Sequence, residues 1–137
     1  MEIVPSEVKY MTNERGIIDG LTVVYPVRDR KASTAWYREH LGFELVWDSE
    51  EIGFCELQSS IKSVFIGLSE VESPKVDGGA TLTWGTEDLD AVRSRMEAGG
   101  IRFDGPTREH PGVVRLATFY DPDGNHLMLY QSLAKSE

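Results

Sequence analysis

Along the chain, apolar and polar positions alternate, then recur every three to four residues, then alternate again, and this order occurs twice. Leu21, Val23, Tyr25 and Val27 fall on one side of a period of two, and Thr22, Val24 and Pro26 on the other. This predicts a strand over 21–27, with Pro26 near its end or at an edge. Asp29 is a natural N-cap, Ala32, Ala35, Trp36 and Leu41 follow at helical spacing, and Gly42 stands where a left-handed C-cap is needed, so a helix is predicted over 30–41. Strands over 43–47, 52–57 and 62–68 come next, divided by hairpin-length separators at 48–51 and 58–61. The stretch 69–78 is polar, holds Pro74 and runs into Gly78-Gly79, which reads as a linker.

The same grammar then restarts. A strand over 80–84 leads to a helix capped by Asp88, with Leu89, Val92 and Met96 as its buried stripe and Gly99-Gly100 as its stop. A short strand over 101–103 and a loop over 104–112, punctuated by Pro106 and Pro111, precede a closing hairpin. Its strands, 113–120 and 126–131, flank Asp121-Pro122-Asp123-Gly124-Asn125, in which Pro122 and Gly124 supply the turn geometry and the Asp and Asn side chains can bond the local backbone. An offset of 59 superposes Gly20 on Gly79, Thr22 on Thr81, Asp29 on Asp88 and Ala32 on Ala91, and one deletion brings Gly42 onto Gly100. The coincidences fall where backbone geometry restricts the residue, so the chain reads as a duplicated βαβββ unit of α+β class. Residues 1–16 lack periodicity and are expected to be an arm, with Met11 an alternative start. Residues 17–137 are expected to form one domain: module one at about 17–68, linker 69–78, module two at about 79–131, and a short tail.

Composition narrows the partners. With 137 residues, 40% of them hydrophobic, the chain can bury one real core. A formal charge of −9 disfavours nucleic acid, whose phosphates call for Lys and Arg, and suits either a soluble protein or one that binds cations. Cys55 is the single cysteine, which rules out an intramolecular disulfide and a multi-cysteine zinc site and points to a reducing compartment. No apolar run is long enough to span a bilayer, and Glu2 stands where a signal peptide would carry a base, so a cytoplasmic location is expected.

Taken together, Val27-Arg28-Asp29, Ala35-Trp36-Tyr37, Leu41-Gly42-Phe43, Glu87-Asp88-Leu89-Asp90, Ala98-Gly99-Gly100-Ile101 and Asp121 to Asn125 give the chain its family likeness. In their order and spacing the chain resembles the vicinal oxygen chelate superfamily, which includes glyoxalase I, bleomycin-resistance proteins, extradiol dioxygenases and fosfomycin-resistance enzymes. The resemblance implies two tandem βαβββ modules curled into an open half-barrel around a cavity, commonly in a homodimer. In metal-dependent members each module gives a ligand from its first strand, usually His, and one from its last, often Glu. Here the first-strand positions fall on Thr22 and Thr81, the last-strand position of module two on Met128, and that of module one near Val64 or Ile66. Hydroxyl and apolar side chains are poor primary ligands for a divalent ion, so no metal and no other cofactor is expected.

The ligand-binding residues expected of such a cavity are Thr22, Val24, Trp47, Phe54, Glu56, Thr81, Thr83, Arg115, His126 and Met128. Glu56 either pairs with a cationic ligand or faces water, and Trp47 either lines the cavity or covers a strand edge. His126 shares a strand face with Met128 and Tyr130, as a ligand contact or general base, or as a histidine at a strand mouth bonded to water or a turn. His110, beside Glu109, belongs to a non-standard metal site, a lid or a solvated loop, while His40 sits near a helix end. Arg115 meets an anionic group, or pairs with Glu56 or Asp104. Cys55 is expected to be an inert buried thiol, and Trp36 and Trp84 to be core. No Ser-His-Asp arrangement, P-loop or dinucleotide fingerprint is present.

The function expected is metal-independent binding of a small molecule, in the manner of bleomycin-resistance proteins, with a cationic aromatic ligand such as an antibiotic. The alternatives are a lyase or isomerase that uses Glu56, His110 and His126 to hold a displaced metal or His126 as base, and a module that only dimerises.

Overall fold

The computed structural model describes residues 11, 13–16, 19–76 and 80–134. Most of the expected arm, the pair Gly78-Gly79 and the last three residues of the tail lie outside the described residues. The chain divides into two compact units, Met1–Lys75 and Val76–Glu137. Each holds one βαβββ module, and the class is α+β.

Unit one runs β1 (Leu21–Val27), α1 (Arg30–Leu41), β2 (Glu44–Ser49), β3 (Phe54–Gln58) and β4 (Val64–Glu70). Its sheet has the order β1-β4-β3-β2, with β1 parallel to β4 and the other pairs antiparallel. Unit two runs β5 (Leu82–Gly85), α2 (Leu89–Ala98), β6 (Arg108–His110), β7 (Val114–Tyr120) and β8 (His126–Ser132), in the order β5-β8-β7-β6 with β5 parallel to β8. Neither sheet closes on itself.

The helix boundaries follow from their caps. Asp29 and Asp88 accept from the backbone N–H of Ala32 and Ala91, at 3.0 and 3.1 Å. At the other end, Gly42 and Gly100 take positive φ of 71° and 89°, which costs a glycine little. The closing turn is knotted by Asp121, which is buried with Asn125. Its Oδ1 accepts from the N–H of Asp123 and Asn125 at 2.9 and 2.8 Å, and its Oδ2 accepts from Asn125 Nδ2 at 2.8 Å.

Several expectations are corrected. The buried stripe of α1 is Arg30, Ser33 and Tyr37; Ala32 and Ala35 are exposed and Trp36 is only half-buried, edge-on to Tyr37. The cause is Arg30, which is 2% exposed. It is gripped by Asp48 at 2.5 Å, Glu50 at 3.1 Å and Glu70 at 3.5 Å, while Glu70 also accepts from its backbone N–H at 2.8 Å. This knot turns a charged residue inward and carries β4 on to Glu70. The strand expected at 52–57 begins only at Phe54, after a turn whose Gly53 carbonyl accepts from Glu70 N–H at 2.8 Å. In unit two the strand expected at 101–103 is a single bridge, Phe103 to Phe119. The second strand is instead β6, inside the expected loop; it is polar and exposed throughout and pairs on one side only, so it carries no apolar alternation. Arg93 fastens α2 to the bridging segment through Gly105 O at 2.7 Å, Thr107 Oγ1 at 3.1 Å and the Phe103 ring at 4.5 Å.

Replacing Arg30 by Met removes the ion-pair partner of Asp48 and Glu70, while Glu50 keeps Lys31 at 3.0 Å. Because Asp48 and Glu70 keep some water, the expected loss is about 2 kcal/mol, read from urea unfolding at neutral pH. An unchanged midpoint would show that the knot contributes nothing to stability.

Candidate functional site

Strand pairing sorts each sheet into a helix side and an open side. In unit one, Cys55 marks the helix side: it is buried, and its Sγ lies 3.4 Å from Thr34 Oγ1 of α1. Burial pushes its thiol pKa up, so it is a poor nucleophile. A cavity of about 290 Å³ lined by Lys31, Thr34, Leu45 and Asp48 lies on this helix side too. The open side receives Thr22 and Val24 from β1, Phe65 and Gly67 from β4, Phe54, Glu56 and Gln58 from β3, and Trp47 from β2.

Glu56 stands in the middle of that face, with Trp47 opposite it on β2 and Gly67 opposite it on β4. It is 7% exposed, and among the described residues its carboxylate accepts one hydrogen bond, a long one from Thr22 Oγ1 at 3.4 Å. Burial pushes its pKa up, while the Thr22 hydroxyl and the nearby Trp47 indole pull the other way. The indole N–H stops short of hydrogen-bond geometry with the carboxylate and has no partner among the described residues, although it is buried. A donor and an acceptor are thus held side by side in the interior, poorly matched to each other. Phe54 sits edge-on to Trp47, ring centroids 5.5 Å apart.

Phe54 also lies over Gly67: a Cβ built there would meet the Phe54 ring at 2.5 Å. Gly67 is the module-one counterpart of Met128. Thr83 pairs with Met128, Val24 pairs with Gly67, and the two N-caps fix the offset that superposes Val24 on Thr83. The expected place near Val64 or Ile66 is therefore corrected. Both carry the parity of Val23, and Ile66 is wholly buried on the helix side. A glycine inside an apolar strand was the available sequence signal for a close approach.

In unit two the open side carries Thr83 from β5, His126, Met128 and Tyr130 from β8, Leu116, Thr118 and Tyr120 from β7, and Arg108 and His110 from β6. Thr81 precedes β5 and is exposed. His126 is exposed and edge-on to Tyr120 at 5.0 Å, and Gly85 is covered by the Tyr130 ring, 2.9 Å from a built Cβ. Trp84 pairs with Leu129 on the helix side. Arg115 is on that side as well, sharing the parity of Ala117 and Phe119. It pairs with Asp90 at 2.8 Å and Glu109 at 3.4 Å, in place of the expected Glu56 or Asp104, and stands apart from the open-face residues. His110 lies in β6, not in a loop.

The four positions at which the family resemblance would put metal ligands are thus Thr22, Gly67, Thr81 and Met128. None offers an imidazole or carboxylate, and the Phe54 ring fills the space above Gly67. Among the described residues, no three His, Cys, Asp or Glu side chains converge on a common point. The residues described at these positions do not fit a bound metal ion.

A family model described as Glyoxalase/Bleomycin resistance protein/Dioxygenase superfamily matches residues 21–129. TnmS3, an antibiotic binding protein from Streptomyces sp. CB03234, is 28% identical with a TM-score of 0.67, over 81% of this chain and 93% of that one. A glyoxalase/bleomycin resistance protein from the same organism is 27% identical with a TM-score of 0.63, over 80% and 97%. The fosfomycin resistance protein FosX from Listeria monocytogenes, 18% identical with a TM-score of 0.70 over 81% and 90%, shares the fold. No curated protein sequence matches significantly.

The raised pKa of Glu56 has a definite sign in stability. A carboxyl that is protonated more readily folded than unfolded stabilises the fold fully below its ordinary pKa of 4.5 and loses that contribution as pH rises through the folded value. Glu56→Gln is therefore expected to gain stability over the parent as pH rises from about 4 to 7. Parallel urea midpoints for the two proteins across that range would contradict this.

Proposed function

Because the chain belongs to the Glyoxalase/Bleomycin resistance protein/Dioxygenase superfamily, we propose that it binds a small organic molecule without a metal ion, and that the ligand is a planar aromatic cation such as an antibiotic of that charge. The observation that carries the reading is the open face of unit one. There a buried carboxylate, Glu56, stands beside two aromatic rings, Trp47 and Phe54, and the Phe54 ring covers the position of a metal ligand. A ligand cation gives Glu56 the counter-charge that the described residues do not supply, and the rings add cation–π attraction of about 0.5–2 kcal/mol. The unpartnered Trp47 N–H would donate to an acceptor on the same ligand. Likeness to an antibiotic binding protein at 28% identity supports an antibiotic as the kind of small molecule bound. The reading includes a homodimer in the cytoplasm, in keeping with a single cysteine, Cys55, held as a buried free thiol.

Proflavine, a planar aromatic cation, provides the test. Protein treated with chelator is expected to bind it saturably in equilibrium dialysis and to melt at higher temperature in its presence, since ligand confined to the native state stabilises it. Glu56→Gln should weaken binding about tenfold, equivalent to one buried charge pair of modest strength. Binding should also strengthen as pH rises and Glu56 ionises. Binding that appears only after a divalent ion is restored, or that is indifferent to Glu56→Gln, would overturn the proposal.

A further inference from the structure

The two sheets differ in charge. Strands β1 to β4 contain no Lys, Arg or His, whereas β6, β7 and β8 carry Arg108, His110, Arg115 and His126 against a single acid, Glu109. Glu109 is on the helix side with Arg115. On the open side of unit two, the positive groups are positioned by neutral partners. Arg108 Nη2 donates to Thr118 Oγ1 at 3.3 Å, and the Arg102 guanidinium lies 4.4 Å over the ring of Tyr120, on whose other neighbour, His126, that ring packs edge-on. Neither Arg102 nor Arg108 reaches a carboxylate within salt-bridge distance among the described residues, in a chain with 23 acidic and 14 basic residues. Arg108 and Arg102, both exposed, thus rest on a hydroxyl and a ring at one face, with no carboxylate bridged to either among the described residues. A guanidinium stacked on a ring retains its in-plane N–H groups for a planar acceptor.

From this geometry we infer that the open face of unit two is a second subsite, which takes an anionic oxygen group, of carboxylate type, borne on an aromatic body. Arg108 supplies a fork of N–H donors that matches the two oxygens of a carboxylate, and Arg102 adds positive charge at the same end of the sheet. Tyr120, Met128 and Tyr130, which share this face, offer ring and thioether surface for the body. The inference extends the small-molecule reading by taking the helix-free face as the binding surface, but it names a group of the opposite charge at other residues. It can therefore fail independently.

Three matched probes separate the cases: 2-naphthoate, the neutral 2-naphthamide and (2-naphthylmethyl)ammonium, each titrated into the full chain at low ionic strength. The naphthoate is expected to bind about tenfold more tightly than the amide, a difference that salt reduces. Arg108→Met should abolish the preference for the acid over the amide while leaving affinity for the ammonium probe unchanged. Arg102→Met, which keeps a long apolar side chain, should reduce the preference in part. Equal binding of acid and amide by the parent protein would overturn the subsite, as would a preference that survives Arg108→Met. A failure of the ammonium probe alone would count against the Glu56 reading and leave this one standing.

Discussion

Parallel pairing of the first strand of each module with its last is the constraint on which the rest depends. With Thr22 set against Phe65 and Val24 against Gly67, every side chain in unit one is assigned to the helix side or the open side, because a one-residue slip would exchange the two. The helix side then fills with Tyr25, Val27, Leu57, Ile66 and Leu68, all buried. The same pairing in unit two, Leu82 with Leu127 and Trp84 with Leu129, leaves Thr83 and Met128 to the open side.

Once the faces are fixed, the chemistry follows from what stands on the open ones. In unit one a carboxylate is buried among rings with, among the described residues, one long hydrogen bond, a costly arrangement unless something else completes it. The aromatic cover over Gly67 occupies the place where a metal ligand would project, and the cover over Gly85 shows the same device in the second module. Catalysis that polarises a substrate through an ion needs ligands that the four positions Thr22, Gly67, Thr81 and Met128 do not offer, which is why the proposed reading turns to rings, a buried acid and exposed guanidinium groups for binding.

Local signals made much of the fold readable. The spans of β1 and α1, both N-caps, the glycine stops and the Asp121 to Asn125 turn depend on residues near one another in sequence. What was not legible depends on distant contacts. Arg30 is buried because it meets Asp48 and Glu70, 18 and 40 residues away, so the amphipathic pattern of α1 pointed to Trp36 when Tyr37 is the residue inside. The polar edge strand β6 has no period to detect. In unit two the turn asparagine gives a reference for counting to Met128. Unit one has no such turn, and counting there landed on the wrong parity, away from Gly67. The open-face placement of Glu56 is within reach of strand alternation, as is the helix-side parity of Arg115, which pairs with Asp90 of α2.

The most direct measurement is the indole N–H spectrum of the three tryptophans, recorded by nuclear magnetic resonance on metal-free protein as a planar aromatic cation is titrated in. The account expects the Trp47 signal to move saturably, because its N–H lies beside Glu56 on the open face, while those of Trp36 on α1 and Trp84 on the helix side of unit two hold still. Three unmoved signals without metal, with movement only after a divalent ion is added, would contradict it.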